Sequence, residues 1–183
     1  MNPAKYLILC LILLAQGGFA QDSNQYAGKA GQRVVVFEHA DLNYRLDLEG
    51  AAYTYVDFSR QVPEASFAAI RFSPTAFSLV LAENLGPGIS AEQYAEIVQS
   101  TMKDKLDGQA EGSFKGYTDI GARDERGLRV FQKFIYADAG STPITYVLST
   151  YVDGERAYQL LTFASNEDDD VVLAEADSVL GGF

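Results

Sequence analysis

The sequence predicts an α+β fold, an antiparallel β-sheet with accompanying helices. Three observations carry this. Residues 90–107 place apolar side chains at helical spacing behind a helix-start signature, and residues 128–164 hold three successive β-rich runs. From Val172 to Phe183 the apolar pattern is helical again. The chain has 183 residues, a size that suits one domain with its own core.

The first segment lies outside that domain. Lys5 is the only charge before Asp22, residues 6–15 (YLILCLILLA) are an unbroken apolar run, and Gly18 and Ala20 stand where a signal peptidase reads small residues. This predicts a secretory signal peptide over residues 1–20, cleaved before Gln21. The run is shorter than the roughly 20 apolar residues of a membrane-spanning helix. Export to the periplasm or the medium follows, with no membrane insertion once the signal is gone. Cys10, the single cysteine, sits inside the apolar core behind Leu9, not behind a small residue as lipidation requires. The mature chain therefore carries no disulfide, thiol nucleophile or thiolate metal ligand.

Residues 21–33 (QDSNQYAGKAGQR) are polar without periodicity and predict a flexible lead, so the single α+β domain spans residues 34–183. It opens with the β-branched run Val34, Val35, Val36, Phe37. Tyr44, Leu46 and Leu48 then alternate with Arg45 and Asp47, as in a half-buried strand. Tyr53, Tyr55 and Phe58 surround another short extended piece. Residues 65–72 and 75–83 are two strand runs joined at Ser73-Pro74, which predicts a hairpin. After Gly86-Pro87-Gly88, Ser90 and Gln93 make a capping box, and Ala91, Tyr94, Ala95, Val98, Met102 and Leu106 follow at helical spacing to Asp107-Gly108.

The segment DGQAEGSFKGYTDIGARDERG, with Gly108, Gly112 and Gly116, reads as loop and hairpin. A phosphate cradle would need a helix starting directly behind it, and strand-like residues follow instead. Residues 128–137, 144–152 and 156–164 form a three-stranded meander, separated by residues 141–143 (STP) and by Asp153-Gly154, a two-residue hairpin signal.

Four acids, Glu167, Asp168, Asp169 and Asp170, precede the final helical pattern. A calcium loop would space its acids at alternate positions around a central glycine. Acids in a row are what a helix N-terminus favours, with Ser165 or Asn166 as the predicted N-cap.

The sequence lacks most catalytic equipment. His39 is the single histidine, and its neighbour Glu38 would point to the other face of a strand, so Glu38, His39 and Asp41 do not converge. His39→Ala is expected to change neither fold nor activity. No Gly-x-Ser-x-Gly elbow occurs, and a catalytic triad would have to use His39. No metal site and no cofactor motif is read. With 25 acids, a carboxylate pair for hydrolysis stays open as an alternative. The formal charge of −11 disfavours nucleic acid and anionic membrane surfaces and leaves a basic protein partner possible. Eleven Tyr and eleven Phe are expected mainly in the core, while Tyr136, Tyr146, Tyr151 and Tyr158, on adjacent strands, are the candidate interaction surface wherever they stay exposed together.

The order of elements resembles the α/β/α sandwich of the photosystem extrinsic protein PsbP, the nuclear-import factor Mog and DcrB-type periplasmic proteins. The ending, ERAYQLLTFASNEDDDVVLAEADSVLGGF, is similar to that family's last strand, last helix and terminal residues, with Gly182-Phe183 where Ser-Phe is common. YRLDLEG and ISAEQYAEIVQSTM resemble its first core strand and long helix. The resemblance implies a non-enzymatic module that docks to other proteins and has no shared catalytic set. The function expected is an exported binding or accessory protein; the alternative is a small carboxylate-dependent hydrolase or metal-dependent enzyme.

Overall fold

A computed structural model describes residues 31, 33, 36–48, 53–58, 62–85, 87–108 and 112–183. The predicted signal peptide over residues 1–20 and nearly all of the predicted lead over 21–33 lie outside the described residues. Eleven elements are described. They are β1 (Val36–His39), β2 (Tyr44–Asp47), β3 (Tyr53–Tyr55), β4 (Ala65–Phe72), β5 (Thr75–Asn84), α1 (Ala91–Asp107), β6 (Gly112–Glu125), β7 (Leu128–Ala139), β8 (Thr142–Asp153), β9 (Arg156–Ser165) and α2 (Asp169–Gly182). No described helix is long and apolar enough to cross a membrane.

Seven strands form one antiparallel sheet in the order β3-β4-β5-β9-β8-β7-β6. The order follows from the sequence of turns. β4 and β5 pair as a hairpin, α1 then carries the chain to the far edge, and the β6 to β9 meander returns strand by strand until β9 closes against β5. The α1 start is a full capping box: the Gln93 N–H donates to Ser90 Oγ at 3.1 Å, and the Ser90 N–H donates to Gln93 Oε1 at 2.9 Å. The β8–β9 turn is centred one residue later than Asp153-Gly154, because Asp153 already pairs with Arg156. Gly154 supplies the positive φ of 62° that this turn needs.

Successive residues of a strand face opposite ways, and the sheet uses both faces. Leu79, Leu81, Ile135, Tyr146, Leu148, Leu161 and Phe163 meet Tyr94, Ala95, Val98 and Met102 of α1. On the other face Ala76, Val147 and Ala164 pack with Val172 and Ala176 of α2, while Val80, Val130 and Leu160 pack with Val179 and Leu180. Burial on both faces is why β9 reads as a mostly apolar run, interrupted by Gln159 and Thr162, and not as an alternation.

Two expectations are corrected here. Of the segment read as loop and hairpin, residues 112–125 are not loop but the 14-residue edge strand β6, which does form a hairpin with β7, with irregular register between Phe114 and Gly116 and between Asp119 and Gly121. The YRLDLEG stretch does not enter the main sheet: β1 and β2 form a separate two-stranded sheet. That hairpin shares the second face with α2. Gly182 marks the closest approach, since a Cβ there would run into the Asp47 carbonyl oxygen.

Candidate functional site

The four tyrosines of the predicted surface do not form one exposed face. Tyr146, Tyr151 and Tyr158 are 1%, 4% and 1% exposed, so the core claims them. Tyr146 packs on Phe163 on the α1 side, with ring centroids 5.3 Å apart. Tyr151 and Tyr158 stack at 4.5 Å on the opposite side, and Phe183 meets both edge-on. The Tyr158 hydroxyl donates to the Leu42 carbonyl at 2.7 Å. Burial raises the phenol pKa of both Tyr151 and Tyr158 above the ordinary value. These rings hold the hairpin to the sheet. Tyr136 alone remains half-buried at the margin.

His39 is a packed residue, one of the two placements expected for a lone histidine beside a strand end. It is 8% exposed, stacks on Tyr44 at 5.8 Å, and its Nδ1 accepts the Leu42 N–H at 3.3 Å. Glu38 points outward to Arg45 at 2.8 Å, so these side chains do not converge.

The acidic run begins α2, with the N-cap two residues beyond Asn166, the nearer of the two predicted positions. Asn166 takes φ 57°, turning the chain, and Asp168 is the N-cap without a side-chain cap bond. Asp169 instead reaches across to the sheet, accepting from Tyr136 Oη at 2.8 Å and from Thr145 Oγ1 at 3.3 Å. Among the described residues, no group of three or more His, Cys, Asp or Glu side chains gathers where it could hold a metal. Replacing Asp168, Asp169 and Asp170 together by Asn is expected to lower stability by less than the sum of about 0.3–1 kcal/mol per carboxylate, since the acids repel one another. Most of the loss should come from Asp169→Asn, because that carboxylate also bonds Tyr136, and added salt should shrink the remainder. Thermal melts of the single and triple variants at low and high salt check this. An Asp170→Asn loss equal to that of Asp169→Asn would count against the assignment.

Three further polar clusters went unseen in the sequence, because their members are distant along the chain. On one flank of α2, Glu175 accepts from Arg71 at 2.6 Å and from Tyr53 Oη at 3.0 Å, joining the helix to β4 and β3. On the other flank Asp177 accepts from Arg123 Nη1 at 3.0 Å and from Gln132 at 3.1 Å, joining it to β6 and β7. Lys133, 3% exposed in its side chain, meets Asp119 at 3.0 Å and Gln99 at 3.0 Å beneath the Tyr117 ring. Each ties elements of the chain to one another, although the Arg123 Nε is buried without a hydrogen bond.

What remains open is the β6–β7 margin. Asp169, Leu173 and Asp177, at i, i+4 and i+8, align α2 along β7, and Asp177 alone of the three reaches β6, through Arg123. Phe134 and Tyr136, stacked at 6.0 Å, are half-buried beside it. On the edge strand Tyr117 is 50% exposed and Ile120 is 36% exposed. The edge is broken by its two irregular pairings, and Lys115, Asp119 and Arg123 break its apolar character, devices that discourage indiscriminate pairing. Tyr117 pairs with Ile135 and lies over Lys133 on the α1 face, whereas Phe134 and Tyr136 lie on the α2 face, so this margin carries aromatic side chains on both sides of the sheet.

No family model matches the chain, and no curated protein matches it. Among solved structures the chain is similar to the solution structure of cyanobacterial PsbP (CyanoP) from Synechocystis sp. PCC 6803. The TM-score is 0.60 at 13% sequence identity, over 86% of this chain and 95% of that one. The chain has the PsbP-like fold.

Proposed function

We propose that this chain is an exported, non-enzymatic binding or accessory protein that acts through a protein-interaction surface. Its layers are read as an α/β/α sandwich in which the β1–β2 hairpin completes the layer of α2. The observation that carries the reading is the division of its side chains. The buried charged groups Glu175 and Lys133 are engaged inside the fold, whereas the β6–β7 margin leaves Tyr117 and Ile120 exposed and Tyr136 half-buried. The edge of β6 with these side chains is the surface proposed for the partner. The PsbP-like fold supports an accessory role, and the pattern of residues 1–20 supports export. A carboxylate-dependent hydrolase or metal-dependent enzyme is the competing reading.

A photo-crosslinking residue placed at Ile120, in cells with an intact envelope, is expected to capture one defined protein. The same probe at Glu96, on the exposed side of α1, should not. Equal capture from both positions, or none from Ile120, would count against the surface. Calcium, zinc and magnesium should leave the melting temperature unchanged; a large rise at low metal concentration would favour the enzyme reading, because a ligand bound only by the folded state stabilises it.

A further inference from the structure

We propose that the β1–β2 hairpin is a pH-sensitive latch, released from the aromatic face it covers when His39 takes up a proton. The geometry begins at the ring. Its Nδ1 accepts the Leu42 N–H at 3.3 Å, which requires a free lone pair on that nitrogen. The bond closes the turn in which the Asn43 N–H donates to the Ala40 carbonyl at 3.1 Å and Asn43 holds φ 52°. A proton on Nδ1 turns the acceptor into a donor aimed at another donor. The ring also sits between Phe37 and Tyr44, at 6.5 and 5.8 Å, so the cation cannot regain its water without movement.

Neighbouring charges do not rescue it. Asp41, in the turn, favours the cation, but burial outweighs it and holds the His39 pKa below its ordinary 6.5. Glu38 and Arg45 bond each other on the hairpin's outer face, with Asp47 3.7 Å from Arg45. From the sheet and α2, Tyr44 meets the Ser66 hydroxyl, the Tyr158 phenol and the Phe183 ring, none of which is charged in this range. Arg156 and Asp153 bear on Tyr158, behind Tyr44. The sign follows. Below about pH 6.5 the open form binds the proton more readily than the closed one, so the closed form loses stability as pH falls and regains it as pH rises.

The hairpin can move alone because no ladder joins it to the seven-stranded sheet. It is held by the packing of Phe37, Tyr44 and Leu46, by the Tyr44 Oη–Ser66 Oγ bond at 2.7 Å and by the Tyr158 bond to Leu42, and a two-stranded hairpin by itself is marginal. Opening would uncover Phe67, Tyr151, Tyr158 and Phe183.

Hydrogen exchange by NMR on the mature chain tests this, expressed as protection factors so that the intrinsic pH dependence cancels. Between about pH 7.5 and about pH 5, protection of the β1 and β2 amides is expected to fall at least about fivefold while β8 and β9 hold. His39→Asn keeps an acceptor for the Leu42 N–H and does not titrate, so its hairpin should stay protected. An unchanged hairpin, an equal fall in β8 and β9, or a fall that persists in His39→Asn overturns the proposal. Should the variant be open already at neutral pH, titration of the wild-type ring decides. A midpoint below 6.5 with co-titrating hairpin resonances supports the latch, and a midpoint at or above 6.5, or silent hairpin resonances, overturns it.

Discussion

A chain ending at Ser165 is expected not to fold. The truncation removes α2, whose Val172, Val179 and Leu180 are 0%, 1% and 3% exposed, each contributing roughly 1.5–3 kcal/mol by burial. It also strips the cover from Ala76, Val80, Val130, Val147, Leu160 and Ala164 on the sheet, and from Tyr44, Tyr151 and Tyr158, which pack against Phe183. Arg71 and Gln132 lose their carboxylate partners at the same time. The combined loss is comparable with the whole stability of a typical domain, about 5–15 kcal/mol. Far-UV circular dichroism, size-exclusion chromatography and yield from expression should report aggregation or degradation. A soluble monomer with a cooperative melt would mean that the sheet is stable with one face bare, and the layered account would fail.

How far the fold could be read from the sequence depends on where burial leaves a mark. β9, covered on both faces, is a run of Tyr, Leu, Phe and Ala that no loop would carry, and α1 announces itself through Ser90, Gln93 and six buried positions. β6 has neither sign. As an edge strand it exposes most of its length and uses Gly, Lys, Asp and Thr, the residues that keep an edge from aggregating, so its strand character comes from pairing with β7. The helix start shifted for a local reason: Asn166 accepts a positive φ, which places the turn before the acids begin the helix.

The tyrosines illustrate a different gap. Alternation tells that Tyr146 and Tyr151 face opposite ways, but what covers each face depends on α1, α2 and the hairpin, elements remote in sequence. Only Tyr136 stays half-buried, next to the edge strand, where its hydroxyl bonds Asp169 at the start of α2. The exposure of Tyr117 and Ile120 becomes legible once β6 is known to be the edge.

The tie between Arg71 and Glu175 spans 104 residues and left no trace in the sequence, yet its loss should be among the costliest single changes. The Glu175 side chain is 6% exposed and the Arg71 side chain 31%, so the carboxylate is the desolvated partner. Arg71→Met would leave that carboxylate with the Tyr53 hydroxyl as its remaining side-chain partner among those described here. Breaking a fully buried pair costs about 3–5 kcal/mol, and the partial exposure of Arg71 places this one nearer about 2–3 kcal/mol. Burial and the adjacent carboxylate together raise the Tyr53 pKa, so its hydroxyl stays protonated and continues to donate. The double variant Arg71→Met with Glu175→Leu should be more stable than Arg71→Met alone, because no charge is then left buried. Urea denaturation of the two single variants, the double variant and the parent gives the coupling directly, provided the slopes agree. A cost for Arg71→Met below about 0.5 kcal/mol, within the range of surface substitutions, would show that water already reaches Glu175. The pair would then be a surface contact, and α2 would be held by its apolar face alone.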